Sequence, residues 1–123
     1  MSYLEELFSL AGKTAVVTGA GRGLGRAIAE ALGRAGARML LVGRDGERLE
    51  VARSELAALG VEAEAQVCDL AERGATDALI EFVKTEMGHL HILVNNAGLT
   101  RPQPLLEYED EAWDETLRVN LDA

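Results

Sequence analysis

The run Thr18-Gly19-Ala20-Gly21-Arg22-Gly23-Leu24-Gly25 sets glycine at every second position. Glycine lets a chain turn sharply and leaves backbone N–H groups unshielded by a Cβ. At the start of a helix, such groups and the positive end of the helix dipole suit a pyrophosphate. A tight turn from strand to helix also needs glycine, so the run alone is ambiguous. Three more clusters are distinctive: Gly43-Arg44-Asp45, Asp69-Leu70 and Asn95-Asn96-Ala97-Gly98. Cys68, His89 and His91 do not have the spacing of metal ligands, so no metal site is expected. One cysteine also excludes an internal disulfide.

The clusters share a position in a repeating pattern. Residues 14–18 are a short apolar run and read as a buried strand. Leu24, Ala27, Ile28, Ala31, Leu32 and Ala35 then recur at helical spacing, and Gly36 stands where a C-cap belongs. Residues 38–42 read as a second strand. Asp45 can cap a helix whose expected apolar face is Leu49, Ala52, Leu56 and Leu59, stopped by Gly60. Val61, Ala63, Ala65 and Val67 alternate as a third strand. Ala75, Ala78, Leu79, Phe82, Val83 and Met87 form another helical face, ended by Gly88. Residues 91–94 read as a fourth strand, and Trp113, Leu117, Asn120 and Leu121 fall on related turns of a last helix.

Strands alternating with helices imply an α/β fold of the Rossmann type, a doubly wound parallel sheet with right-handed crossovers. In such sheets ligands bind at the carboxyl ends of the strands. All four clusters lie there. Within 123 residues only about four strands fit; the order 3-2-1-4, common among dinucleotide-binding sheets of this type, would leave the fourth as an apolar edge.

Composition narrows the partners. Hydrophobic residues make up 48%, enough for a packed core. The formal net charge of −9 repels a phosphate backbone, which argues against nucleic acid. No apolar run approaches the ~20 residues of a membrane span. The acidic start Met1-Ser2-Tyr3-Leu4-Glu5-Glu6 lacks the basic region of a signal peptide, so a soluble cytoplasmic protein is expected.

The glycine spacing is T-G-x-x-x-G-x-G, read at Thr18, Gly19, Gly23 and Gly25, rather than the common G-x-G-x-x-G. With Asn95-Asn96-Ala97-Gly98 after the fourth strand, Asp69 after the third and Asn120 in the next helix, the chain closely resembles the short-chain dehydrogenase/reductase family, from about Leu10 to its end. The resemblance implies roles. Gly19 to Gly25, with Thr18, Gly21, Arg22, Gly23 and Leu24 among them, would hold the pyrophosphate and adenosine ribose. Asp69 would accept from the adenine amino group, with Leu70 beside it; Asp69 could equally cap a helix. Asn96, Ala97 and Gly98 would line the nicotinamide side, and Asn95 would tie the fourth strand to its neighbours. Asn120 matches the family's catalytic Asn, or else is a plain polar helix residue. The family commonly has Asp where His91 stands. Cys68 reads as a small buried hydrophobe and Trp113 as core or interface filler.

The nucleotide's 2′ position is argued physically. A carboxylate after the second strand accepts the ribose hydroxyls of NAD, whereas arginine meets the 2′-phosphate of NADP. Here Gly43 occupies the carboxylate's place, Arg44 follows, and Arg22 lies in the glycine turn. NADP is favoured. Asp45, one residue late for the ribose, leaves NAD open, and Arg44 could be only a solvated helix-start residue.

The family's proton transfer needs a Tyr-x-x-x-Lys pair and a preceding Ser. The tyrosines are Tyr3 and Tyr108, followed at four residues by Leu7 and Ala112, so neither makes the pair. Residues 1–123 therefore read as an NAD(P)-binding domain incomplete at its carboxyl end, the first half of a reductase of a carbonyl or secondary alcohol, homo-oligomeric when complete. The alternative is a catalytically inactive nucleotide-binding fragment or partner module. A methyltransferase fits poorly, because it would want an acid at Gly43-Arg44. The opening Leu7-Phe8-Ser9-Leu10-Ala11-Gly12-Lys13 resembles family members acting on sugar acids, such as gluconate 5-dehydrogenases; 3-oxoacyl reductases are similar over the same motifs.

Overall fold

A computed structural model describes residues 2–97. Four strands form one parallel sheet in the order β3-β2-β1-β4: β1 is Thr14–Thr18, β2 Arg38–Gly43, β3 Ala63–Val67 and β4 Ile92–Val94. Helix α1 (Tyr3–Phe8) precedes β1. Helices α2 (Gly23–Arg34), α3 (Gly46–Ala58) and α4 (Ala75–Phe82) make the crossovers, the last continuing through a π turn over Val83–Met87. The parallel order 3-2-1-4 is the expected one.

The two central strands carry no alternation because both of their faces are covered. All five residues of β1 are buried, and so are Met39, Leu40, Leu41 and Val42 of β2. On one face Ala15, Val17, Met39 and Leu41 meet α2 and α3 through Ala29, Leu49, Ala52 and Leu56. On the other, Val16, Leu40 and Val42 meet Val83 and Met87. Full burial of a Val or Leu side chain stabilises by about 1.5–3 kcal/mol, so these two strands hold the domain together.

Several local expectations change. Helix α2 does not pack on Leu24, Ala27 and Ala31, which are exposed; it packs on Gly25, Ala29 and Gly33, with Ile28 and Leu32 partly buried beside them. Small residues win because the helix lies so close that a Cβ on Gly33 would come within 2.3 Å of Val61 Cγ1. Val61 is buried but precedes β3, and Val67 is exposed at its end. Leu59 is exposed beyond the end of α3, and Ala78 faces solvent on α4. Strand β4 starts at Ile92 rather than His91, and its Leu93 is 60% exposed, as an edge strand would be.

His91 performs a different task. Its backbone N–H donates to Thr14 O, and its Nδ1 accepts from Thr14 N–H at 3.0 Å. The ring thereby pairs the backbone at the start of β1. Helix α1 lies outside the expected pattern. It is set by a capping box, Ser2 Oγ accepting from Glu5 N–H and Glu5 accepting from Ser2 N–H.

Candidate functional site

The carboxyl ends of β1, β2 and β3 and the turn after β4 open into one cavity of about 1170 Å³. Its wall brings together Thr18, Gly19, Gly21, Arg22, Gly23, Arg44, Asp69, Leu70, Asn96 and Ala97, all singled out in the sequence. Gly98 and Asn120 lie outside the described residues. Leu24 is 69% exposed and is not part of the wall. Gly25 stands behind the wall, with a structural task.

That task is visible in the packing. A Cβ on Gly25 would lie 2.1 Å from Gly19 O and 2.6 Å from Asn96 Nδ2, a backbone overlap that nothing flexible can relieve. Gly19, at φ +66°, has Asn96 and Ala97 atoms 3.1 Å from where its own Cβ would be. The side-chain room at Gly19 is thus taken by the turn after β4, and any larger residue would press on protein before it met a ligand. Asn96 Nδ2 donates to Gly19 O at 3.3 Å and locks the two turns together.

Thr18 is the hub between them. Its side chain is 3% exposed, and Oγ1 accepts from Asn96 N–H at 3.0 Å and from Ala97 N–H at 2.9 Å. The hydroxyl proton has Asn95 Oδ1 at 3.4 Å and Val94 O at 3.5 Å as acceptors. Asn95 therefore does help join β4 to β1.

The second strand ends at Gly43, where a Cβ would sit 3.3 Å from Leu49 Cδ2. Asp45 caps α3, its Oδ1 accepting from Glu47 N–H at 3.1 Å and Arg48 N–H at 3.2 Å. Arg22 and Arg44 reach the cavity with no side-chain hydrogen bond or ion pair to them among the described residues. After β3, Asp69 Oδ1 accepts from Ala71 N–H at 3.0 Å, which closes a local turn; the N-cap of α4 is Gly74. Cys68 also borders the cavity and is only partly buried. Burial pushes its thiol above the ordinary range, and the neighbouring Asp69 and Glu72 carboxylates push it further. Arg48 and Leu49 on the wall were not foreseen. The available signal was the cap at Asp45, which puts the first turn of α3 beside the end of β2.

The sequence pattern described as short chain dehydrogenase matches residues 13–123. The chain belongs to the short-chain dehydrogenase family. Gluconate 5-dehydrogenase of Gluconobacter oxydans is 40% identical over 118 residues, 96% of this chain and 46% of that protein. A 3-oxoacyl (acyl-carrier-protein) reductase of Agrobacterium tumefaciens, solved with NADP bound, superposes with a TM-score of 0.90 at 37% identity, over 97% of this chain and 46% of that one. A metagenomic short-chain oxidoreductase in complex with NADP gives a TM-score of 0.87 at 43% identity, over 91% of this chain and 51% of that one. This short-chain dehydrogenase chain thus spans about half the length of the relatives it matches. Among its described residues, no group of three or more His, Cys, Asp or Glu could hold a metal ion, and no helix is long and apolar enough to cross a membrane.

Proposed function

We propose that the chain is the cofactor-binding part of an oxidoreductase that transfers a hydride between NADP(H) and a carbonyl or secondary alcohol. The carrying observation is the cavity itself: a glycine turn at a helix start, beside it two arginines without an ion pair among the described residues, and no carboxylate at position 43. The donor set suits the group. Backbone N–H groups at the start of α2 suit the pyrophosphate. Arg22 and Arg44 suit a 2′-phosphate, since a guanidinium meets phosphate with paired donors. Asp69 and Leu70 would flank the adenine, and Asn96 and Ala97 would border the nicotinamide side with Gly98. When bound, the cofactor supplies or accepts the hydride. This chain's own residues bind and orient it: the Thr18 hydroxyl holds the Asn96-Ala97 turn in place, and Asp45 keeps α3 seated against the end of β2. For Asn120 we propose the family's catalytic Asn position.

The name of the Gluconobacter relative supports sugar acids and their ketones as the first substrates to try. We also propose a cytoplasmic homo-oligomer. The free thiol of Cys68 suits a reducing compartment, and exposed apolar residues such as Leu7 and Phe8 suit subunit contacts.

The test is Arg44→Asp in the intact protein, assayed with NADPH and NADH. A charge-assisted hydrogen bond contributes about 1.5–3 kcal/mol, so NADPH should lose about tenfold or more in kcat/KM, with preference passing to NADH. Equal use of the two cofactors before and after the change would refute the assignment.

A further inference from the structure

Arg48 has no part in the reading above, yet it borders the same cavity as Arg44 and Gly21. It lies in the first turn of α3, and a Cβ on Gly21 would come within 3.3 Å of the Arg48 Cβ, so helix and glycine turn meet at this residue. Its Nε stands 3.3 Å from Asp45 Oδ2. The other oxygen of Asp45 is already engaged by the N–H groups of Glu47 and Arg48. Both oxygens of the one carboxylate next to Arg44 are therefore committed inside the protein. The Asp45–Arg48 pair is about half exposed, and an ion pair in that setting is loosely held. A phosphate, with more charge and more acceptor oxygens than a carboxylate, competes well for such a guanidinium.

We propose that Arg48 is a third cationic ligand for the 2′-phosphate end of the nucleotide, and that Asp45 restrains it until that phosphate arrives. The inference rests on the NADP(H) reading and deepens it. Asp45 then has two effects on nucleotide choice. As a cap and a partner of Arg48, it is withheld from the ribose hydroxyls that NAD would offer. By holding Arg48, it also weakens the phosphate site somewhat.

The test is calorimetric titration of the intact protein with NADPH, NADH, 2′,5′-ADP and 5′-ADP, with thermal unfolding of each variant in parallel. Arg48→Gln should weaken the two 2′-phosphorylated ligands by about five- to tenfold and leave the other two unchanged. Asp45→Asn keeps a capping side chain but releases Arg48, so 2′,5′-ADP should bind about threefold tighter. That gain should vanish in the double variant, an outcome a merely structural Arg48 would not produce. Equal weakening of all four ligands by Arg48→Gln, no weakening at all, or a gain from Asp45→Asn that survives in the double variant would each overturn the proposal. If the unaltered protein does not prefer the 2′-phosphorylated ligands, the NADP(H) reading falls and this inference with it. If it does prefer them and Arg48→Gln changes nothing, the inference falls alone.

Discussion

Replacing Thr18 by Val keeps the β-branched shape and removes one oxygen. That oxygen accepts two backbone N–H groups, those of Asn96 and Ala97, in a side chain that is 3% exposed. A buried N–H left without a partner costs about 1–3 kcal/mol. Asn96 and Ala97 are only partly buried, so water can recover some of the loss, and the lower end applies to each. The sum is about 2 kcal/mol. With a urea slope of about 1.5 kcal/mol/M, the unfolding midpoint should fall by roughly 1.3 M at an unchanged slope. Thr18→Ser keeps the oxygen and should lose much less. The freed turn after β4 should also weaken nucleotide binding, since Ala97 borders the cavity. Urea titrations of the three proteins, with and without NADPH, supply both readings. If the valine and serine variants unfold within about 0.3 M of each other, the hydroxyl does not hold the two turns together.

Gly25→Ala and Gly23→Ala should part widely: a Cβ at 25 meets Gly19 O at 2.1 Å, while at 23 it meets nothing within 4 Å and only the φ of +59° is strained. The first should abolish nucleotide binding or folding, and the second should cost about 1–2 kcal/mol, as read by chemical denaturation. His91→Ala strands the N–H of Thr14 and should destabilise by about 1–2 kcal/mol, whereas His91→Asp, which keeps an acceptor, should recover most of that loss. Cys68 should react slowly with iodoacetamide at neutral pH, because burial, Asp69 and Glu72 raise its pKa above the ordinary 9.0. The folded state disfavours that thiolate, so the contribution to stability is whole below pH 9.0 and is lost as the pH rises through the folded-state value; Cys68→Ala should flatten the alkaline fall in stability.

The strands were legible because burial on both faces leaves unbroken apolar runs, as in Val16-Val17 and Leu40-Leu41-Val42. Alternating elements dictated a parallel doubly wound sheet, but the order 3-2-1-4 came with the family resemblance, since alternation alone also allows other doubly wound orders. Helix faces were read less well. In α2 the hydrophobic period pointed to Leu24, Ala27 and Ala31, but contact distance selected Gly25, Ala29 and Gly33. Size, rather than hydrophobicity, decides where a helix must approach a sheet closely, and a periodicity of apolar residues does not weigh size. Gly19 shows the same limit within the site. A side chain there is easily imagined in the place of a phosphate, yet the space its Cβ would need is filled by Asn96 and Ala97, residues 77 and 78 positions away along the chain. Nothing in the sequence marks Arg48, because one arginine among the charges of an exposed helix has no distinguishing spacing. The short helix α1 has a capping box in plain view at Ser2 and Glu5, but it lies outside the strand-helix alternation.

The bonds from Thr18 to the Asn96-Ala97 turn span 78 and 79 positions of chain. Such long-range contacts form late in folding, because closing the intervening loop costs entropy before the contact returns anything. The glycine turn and α2 are complete within the first 34 residues, but one wall of the cavity arrives only when β4 docks beside β1. On a ribosome, the turn would wait through two further crossovers for the residues that close it. Nucleotide binding during refolding would then report the docking of the fourth strand, lagging behind the helical signal and the burial of β1 against β2.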